Sequence, residues 1–344
     1  MYRSILSYSI NRHVNKRGLR RRYIFIPAAI LFLILSCLQA EEAVAGSEFI
    51  FGVTIDDPWY GNDSEKNAIK DALTGHAVKP TVRFVFDECM YPVDKCVAAC
   101  DECWDPSDYQ QPLENVASAA FVMGEILDSF FVKNYSVEEY IERTNEYLNR
   151  FDNLVDIWEI GNEVNGDWLG EPADVIAKIE GAYDAVKDKK ERLAALNLYY
   201  NKGCYKNENN EMFTWVQQAN LSEEMRNGLD YVFFSYYEDD CGDKIYTQEE
   251  WQVVFDALHV IFPKAKLGFG EVGTKDADKK AEYMQRYYSL DIKGDYYVGG
   301  YFWWYYKQDA IPKTTELWSV LNTILLERES KSRGWLMPVL FLLL

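Results

Sequence analysis

Two glutamates, each at the end of a short apolar run, are the residues of this chain best suited to chemistry. Glu163 lies in the run WEIGNEVN, Glu271 lies in the run KLGFGEVG, and the two are 108 positions apart. Glycoside hydrolysis needs two carboxyl groups, one to donate a proton and one to attack the sugar or to activate water. A glutamate at a strand end can also be a surface charge or an ion-pair partner. Two of them on apolar, glycine-rich strands favour the catalytic interpretation.

The elements that would position these carboxyl groups are short apolar runs that alternate with amphipathic segments. The predicted strands are Phe49–Ile55, Thr81–Asp87, Ala120–Leu127, Val155–Gly161, Leu193–Tyr200, Tyr231–Tyr236, Lys266–Glu271 and Tyr297–Tyr305. Segments between them, such as Val137–Arg150 and Gln248–Phe262, are typical of helices. Strands that alternate with helices predict a parallel sheet. Eight units close most naturally into a single (β/α)8 TIM barrel, an α/β fold. An open doubly wound sheet is the alternative, although no G-x-G-x-x-G motif follows the first strand.

In a (β/α)8 barrel the active site lies at the carboxyl ends of the strands. Glu163 ends or just follows the fourth predicted strand, and Glu271 ends the seventh. Both carboxyl groups are therefore expected to point into the same mouth of the barrel.

With these motifs in place, the sequence resembles clan A of the glycoside hydrolases, retaining (β/α)8 enzymes with acid/base and nucleophile on strands four and seven. The pair Asn162-Glu163 is similar to the strand-four motif, and Glu271 is similar to the strand-seven nucleophile. The resemblance implies that Glu163 is the general acid/base and that Asn162 holds the sugar 2-hydroxyl. It covers about residues 49 to 326.

The resemblance also implies supporting residues on other strands. Arg83 is similar to the strand-two arginine that lies beneath the nucleophile. The hydrogen-bond donor to the nucleophile would be Tyr236 or Tyr237, and the tryptophan under the reactive sugar would be Trp303 or Trp304. This chain has no counterpart of the histidine that some clan members have on strand three, and Glu125 in this stretch either lines the cleft or pairs structurally. Glu159, four positions before Glu163, is expected to be structural.

Aromatic residues make up 15% of the chain, which fits a groove that stacks on sugar faces as well as an aromatic core. Trp59, Trp104 and Trp168 lie in predicted loops and are candidates for outer sugar contacts or for loop packing. The expected partner is a carbohydrate.

The charge of the chain excludes other partners. The formal net charge is −19, and without the seven basic groups of the first 22 residues it is 29 minus 55, or −26. So acidic a domain argues against nucleic acid and anionic lipid surfaces. With three histidines and no His-rich or Asp-rich ligand cluster, a metal site is not expected, and no cofactor is predicted.

The two ends of the chain look like targeting segments. Residues 1–45 combine a basic stretch with the uncharged run Tyr23–Leu38, which predicts a secretory signal or a signal anchor. An A-x-A-like site at 43–45 competes with a lipobox-like Cys37. Residues 46–327 form the predicted catalytic domain, and 328–344 form a polar spacer with a short apolar tail. The tail is an anchoring signal, a peripheral helix or a disposable end.

Six cysteines besides Cys37 fit an exported chain with disulfides. Cys89, Cys96, Cys100 and Cys103 lie in an irregular insertion between strands two and three, where two disulfides or a four-thiolate zinc site would fit. Cys204 and Cys241 each follow a predicted strand, so a bridge between neighbouring loops is geometrically reasonable.

These observations predict a secreted or envelope-attached, monomeric retaining glycosidase that acts on a β-linked oligo- or polysaccharide. Three alternatives stay open. A transglycosylase would use the same residues, a carbohydrate-binding barrel would have no catalysis, and an envelope enzyme would trim polysaccharide during its assembly and export.

Overall fold

The computed structural model describes residues 49–86 and 106–334. The amino-terminal targeting segment, the four cysteines of the insertion, Trp104 and the apolar carboxyl-terminal tail therefore lie outside the described residues. Within the described part, no helix is long and apolar enough to cross a membrane.

Eight parallel strands form a closed barrel in the order of the chain. They are β1 (Ile50–Ile55), β2 (Thr81–Val85), β3 (Phe121–Glu125), β4 (Ile157–Glu159), β5 (Leu193–Tyr199), β6 (Tyr231–Tyr236), β7 (Lys266–Val272) and β8 (Tyr297–Trp303). Strand β8 pairs with β1 and closes the ring. The prediction of a single (β/α)8 barrel is confirmed.

Ten α-helices of the described residues accompany the strands. They are α1 (Asp63–Thr74), α2 (Gln110–Ala117), α3 (Val137–Phe151), α4 (Pro172–Lys187), α5 (Met212–Ala219), α6 (Glu223–Gly228), α7 (Gln248–Ile261), α8 (Lys280–Tyr288), α9 (Tyr306–Ala310) and α10 (Glu316–Gly334). Helix α3 begins at a capping box in which the Ser136 side chain accepts from Glu139 N and the Glu139 side chain accepts from Ser136 N.

Strand β4 is shorter than predicted and ends at Glu159. The residues after it still bond to β5, where Ile160 N donates to the Ala195 carbonyl and Asn197 N donates to the Gly161 carbonyl. The last helix begins at Glu316. Its first turn is capped at Thr315, whose Oγ1 accepts a hydrogen bond from the backbone N–H of Trp318 at 3.2 Å.

The core has two apolar clusters. The larger one lies between the strands and the helices. The smaller one contains inward-facing strand residues, including Met123 of β3, Ile157 of β4, Ala195 of β5 and Phe233 of β6.

Because side chains alternate along a strand, the residue two positions later on each strand faces the same interior, one layer higher. Those residues are Glu125, Glu159, Asn197 and Ser235, all buried. The barrel therefore has an apolar floor and a polar layer above it, toward the carboxyl ends of the strands.

Candidate active site

A cavity of about 810 Å³ opens at the carboxyl ends of the strands. The loops that follow β3 to β8 contribute its walls. Both candidate carboxylates, Glu163 and Glu271, line it, together with Asn162, Trp168, Tyr237 and Trp304. The structure thus brings Asn162 and Trp304, which lie 142 positions apart in the chain, into one cavity, as the barrel topology requires.

Glu271, in β7, is held at both of its oxygens. Nη1 of Arg83 lies 2.8 Å from Oε1, and the phenol of Tyr237 donates a hydrogen bond to Oε2 at 2.6 Å. The carboxyl group is almost fully buried, with 3% of the residue exposed. Both contacts favour the ionised form, and the fixed side chain presents its carboxylate to the cavity.

Arg83, from the middle of β2, is completely buried beneath this carboxylate. Its Nε and Nη2 donate to the two oxygens of Glu159 at 2.6 and 2.8 Å, a bidentate pair. Nη2 also lies 3.0 Å from Oε2 of Glu125. The guanidinium carbon lies 5.7 Å from the centre of the Trp304 ring, which covers it from above. One guanidinium therefore faces three carboxyl groups.

Glu163 follows β4 in a turn, and its backbone is left-handed, with φ of 46°. The N–H of Gly166 closes the turn by donating to the Glu163 carbonyl at 2.7 Å. The hydroxyl of Ser129 donates to Oε2 of Glu163 at 3.3 Å, and Nε1 of Trp168 in turn donates to that hydroxyl oxygen at 3.0 Å. This small chain of hydrogen bonds orients the Glu163 side chain across the cavity from Glu271.

Asn162, beside Glu163, is positioned by an amide on the next strand. Nδ2 of Asn197 donates to Oδ1 of Asn162 at 2.8 Å and to Oγ of Ser235 at 2.9 Å. These bonds fix the carbonyl side of the Asn162 amide and leave its N–H groups to face the cavity. Gly270 makes room for this arrangement, because a Cβ there would lie 2.0 Å from Oδ1 of Asn197.

The two candidate carboxylates differ in acidity. Burial, and then the charge of Glu271, raises the pKa of Glu163 well above its usual range. Burial also raises the pKa of Glu271, to about 7, while Arg83 and the Tyr237 hydrogen bond act in the opposite direction. Burial and the Glu271 charge thus favour a proton on Glu163, whereas Arg83 and the Tyr237 hydrogen bond favour the charge on Glu271, as the roles of acid and nucleophile require.

The structure distinguishes the paired aromatic candidates by position. Tyr237 contacts Glu271, whereas the phenol of Tyr236 donates to the backbone carbonyl of Lys244 at 2.5 Å and does not line the cavity. Trp304 lines the cavity, whereas Trp303 is fully buried and its Nε1 donates to Oδ2 of Asp309 at 2.8 Å.

The two outer tryptophans within the described residues also differ. Trp168 lines the cavity. Trp59 does not, and its ring packs 4.8 Å from that of Tyr109, while its carbonyl accepts from Nζ of Lys307 at 3.0 Å. Its placement fits loop packing, the other role open to it.

Several cavity residues were not anticipated from the sequence. Ser129 lines the cavity and supports Glu163, whereas Asn197 is buried outside the lining and supports Asn162. The other unanticipated lining residues include Asp128, Asp167, Tyr199, Tyr205, Lys206, Asp239, Asp240, Thr274 and Lys275. The sequence could have indicated Asn197, since an amide inside the apolar run of β5 needs hydrogen-bond partners. The sequence of the loops gives no comparable indication.

A disulfide between Cys204 and Cys241 ties the loop after β5 to the loop after β6. Cys204 itself lines the cavity, next to Tyr205 and Lys206. The bridge expected between these loops is therefore present, and it fastens one wall of the cavity. In the described ranges, no group of three His, Cys, Asp or Glu side chains is arranged to hold a metal ion.

No family model and no curated protein matches this sequence. Solved structures do match the fold. A glucosidase from Croceicoccus marinus has a TM-score of 0.55 at 12% identity, over 82% of this chain and 68% of that one. ScGas2 in complex with compound 8 has a TM-score of 0.51 at 14% identity, over 83% of this chain and 65% of that one.

A family 1 β-glucosidase from Thermotoga maritima in complex with isofagomine lactam has a TM-score of 0.50 at 10% identity, over 76% of this chain and 88% of that one. At such low identities these similarities show the fold. The barrel that they share with this chain is the fold that the resemblance of the sequence motifs implies.

Proposed function

We propose that this chain is a retaining glycoside hydrolase that cleaves a β-linked oligo- or polysaccharide, with Glu271 as nucleophile and Glu163 as general acid/base. One observation carries the proposal. Two buried carboxyl groups, one just after the fourth strand and one on the seventh strand of a (β/α)8 barrel, line one cavity, and the one that must be charged is the one that contacts Arg83 and Tyr237.

In the first step a carboxylate oxygen of Glu271 attacks the anomeric carbon, and the bond from that carbon to the glycosidic oxygen breaks. Glu163 gives its proton to the departing oxygen, so the leaving sugar departs as an alcohol and Glu163 becomes a carboxylate. The product is a glycosyl ester of Glu271. Asn162, held by Asn197, supports this step through a hydrogen bond to the sugar that strengthens as positive charge develops on the ring.

In the second step Glu163 accepts a proton from water, whose oxygen attacks the anomeric carbon and displaces the Glu271 carboxylate. The free sugar is released and both carboxyl groups return to their starting states. Conversion of Glu271 to an ester also removes one of the negative charges that raise the pKa of Glu163. The pKa of Glu163 is then lower than in the free enzyme, so Glu163 remains charged, as a general base must.

The cavity lining favours an uncharged saccharide. It contains the four aspartates Asp128, Asp167, Asp239 and Asp240 besides the two glutamates, against Lys206 and Lys275. A polyanionic chain would meet net repulsion there. Two structural neighbours are described as a glucosidase and a β-glucosidase, which supports a β-linked substrate for this chain as well.

We also propose that the chain is exported and acts outside the cytoplasmic membrane, free or attached to the envelope. The Cys204–Cys241 disulfide supports this proposal, because such bridges persist in oxidising compartments. The basic and apolar amino-terminal segment supports it independently.

The test is a screen of the purified protein against aryl β-glycosides and β-linked polysaccharides, with Glu271→Gln and Glu163→Gln as matched variants. Glu271→Gln is expected to abolish turnover with an unchanged circular dichroism spectrum. Glu163→Gln is expected to slow substrates with poor leaving groups far more than activated aryl glycosides, because only the former need the proton. Proton NMR of the first-formed anomer is expected to show retention.

The outcomes separate the alternatives. Wild-type rates in both variants would refute the assignment of the site. Inversion in the NMR experiment would refute the nucleophilic role of Glu271. Larger products in the presence of an added sugar acceptor would identify a transglycosylase, and sugar binding without turnover in all forms would identify a binding barrel.

A further inference from the structure

The mechanism uses two carboxyl groups, yet a third one at the same site is buried and unused. Glu125 lies at the carboxyl end of β3, in register with Glu159 of β4, and none of it is exposed. Among the described residues, neither of its carboxyl oxygens has a hydrogen-bond partner. Its polar contact is with Nη2 of Arg83 at 3.0 Å, an ion-pair distance without hydrogen-bond geometry.

The charges around Arg83 do not balance if every group is ionised. Glu159 already forms a bidentate pair with the guanidinium, which neutralises its single positive charge. Glu125 and Glu271 then both lie against the same, already paired guanidinium, Glu125 at Nη2 and Glu271 at Nη1. Two further like charges in a buried, low-dielectric layer repel each other strongly, and such pairs retain a proton between them.

The other charged and titratable groups near Glu125 do not relieve this imbalance. Asp128, on the loop after β3, adds negative charge, and Glu163, after β4, is neutral while it holds the proton that it gives to the leaving group. The hydroxyl of Tyr140, in α3, donates a hydrogen bond to the carbonyl of Ile160. Arg143 of α3 packs from the outer side of β3, where its Nε donates to the carbonyl of Ile126 at 2.8 Å and its guanidinium lies over Tyr147.

We propose that Glu125 is a positioning residue that acts through Arg83 by sharing one proton with Glu271. This inference rests on the proposed function and deepens it. In the free enzyme the reactive arrangement has the proton on Glu125 and the charge on Glu271. The opposite arrangement is inactive, because a protonated Glu271 cannot attack. Glu125 thereby sets the pH below which the nucleophile is lost.

Formation of the glycosyl ester at Glu271 changes the affinity of Glu125 for the shared proton. When Glu271 becomes a neutral ester, Arg83 retains Glu159 and the repulsion between Glu125 and Glu271 disappears. Glu125 then loses its proton more readily than in the free enzyme. Burial, opposed by Arg83, already raises the pKa of Glu125 well above its usual range, with Glu159, Asp128 and Glu271 adding to the shift.

The kinetic test is Glu125→Gln, which keeps the shape of a protonated carboxyl group and cannot ionise. The acidic limb of the profile of kcat/KM against pH is expected to move to lower pH, with several-fold higher kcat/KM than wild type at its acidic end. The matched control is Glu238→Gln, another buried glutamate with an arginine partner, Arg286, that does not contact Arg83. Its profile is expected to keep the wild-type midpoint.

A spectroscopic test does not depend on activity. Infrared difference spectra between wild type and Glu125→Gln at neutral pH are expected to show the carbonyl stretch of a protonated carboxyl group in the wild type. In Glu271→Gln, where the competing charge is gone, the same band is expected to disappear at a lower pH than in the wild type.

An unchanged pH profile in Glu125→Gln, or an equal loss of kcat/KM at every pH, would overturn the proposal and leave Glu125 a structural residue. A chain without glycosidase activity would refute the proposed function, and the infrared measurement would then decide on the shared proton. Absence of the band in wild type, or a band that titrates identically in Glu271→Gln, would refute proton sharing.

Discussion

The phenolic oxygen of Tyr237 lies 2.6 Å from Oε2 of Glu271, on the opposite side of the carboxylate from Arg83. A neutral donor and a cation therefore hold the same carboxylate from two directions. The neighbouring Tyr236 makes a hydrogen bond of similar length, but to a backbone carbonyl away from the cavity.

Replacing Tyr237 with Phe should move the acidic limb of kcat/KM to higher pH. The hydrogen bond from Tyr237 lowers the pKa of Glu271, which is about 7, so its loss leaves less of the ionised nucleophile at a given pH. A hydrogen bond to a charged group is worth about 1.5–3 kcal/mol, which corresponds to a loss of roughly tenfold or more in kcat/KM. The control is Tyr236→Phe, for which a shifted limb would contradict the assignment.

Glu271→Gln should make the fold more stable at alkaline pH while it abolishes turnover. The folded-state pKa of about 7 lies above the ordinary value of 4.5, so the folded chain binds more protons than the unfolded chain between these values. Stability contributed by this group is therefore greatest below pH 4.5 and falls as the pH rises through 7. Urea unfolding of variant and wild type should agree near pH 4 and differ, on the order of 3 kcal/mol, at pH 8. Equal stability at both pH values would show that Glu271 is not perturbed.

The two adjacent tryptophans at the carboxyl end of β8, Trp303 in the strand and Trp304 just after it, should have separable roles. Trp304→Ala removes a cavity wall and the ring over Arg83, so it should lower kcat/KM with little change in melting temperature. Trp303→Ala removes a fully buried ring and a hydrogen bond to Asp309, and should cost about 3–5 kcal/mol of unfolding free energy. Thermal unfolding and kinetics of both variants would check this, and exchanged phenotypes would contradict it.

Gly270→Ala should impair catalysis through Asn197 rather than through Glu271. The added methyl group would lie 2.0 Å from Oδ1 of Asn197 and would displace the amide that holds Asn162. We expect a destabilisation of about 1–3 kcal/mol, typical of overpacking, and a lower kcat.

The double variant Gly270→Ala with Asn197→Ala provides the control for this clash. With the amide removed, the added methyl group should cost little further stability, so the two effects should be strongly non-additive. Additive losses would place the strain elsewhere.

Loss of the Cys204–Cys241 bridge should loosen the cavity wall that it fastens. The double variant Cys204→Ser with Cys241→Ser should lose about 2–4 kcal/mol of stability, the usual range for a native disulfide. Because Cys204, Tyr205 and Lys206 line the cavity, KM for an oligosaccharide should rise more than KM for a small aryl glycoside. Equal KM values in oxidised and double-variant protein would show that this wall does not contact the substrate.

The barrel and its two carboxylates were predictable because both depend on features that a sequence displays. Strand and helix periods alternate along the chain, and closure of eight parallel strands then places Glu163 and Glu271 at one mouth. Arg83, Asn162 and Glu271 follow from short motifs around them. Glu159, expected to be structural, lies below Glu163 and pairs with Arg83.

The choice between adjacent aromatics was not predictable, and the reason is physical. Strands buried on both faces read as continuous apolar runs, so the sequence does not show which side faces the interior. This holds for YVFFSYY in β6 and for YVGGYFWW in β8. Only the packed barrel, with Phe233 and Phe302 inside, assigns Tyr237 and Trp304 to the cavity. The rim aspartates depend on loop conformation, for which no periodic signal exists.

The left-handed backbone of Glu163 has a consequence for recognising relatives of this protein. A residue with a Cβ atom adopts this conformation at a cost on the order of 1 kcal/mol, which is smaller for asparagine and absent for glycine. In this chain the residue with this unfavourable backbone conformation is the one that must carry the proton. A related barrel without catalytic activity would be more stable with glycine or asparagine at this turn. Such a residue after the Asn162 equivalent would therefore mark chains that bind sugar without cleaving it.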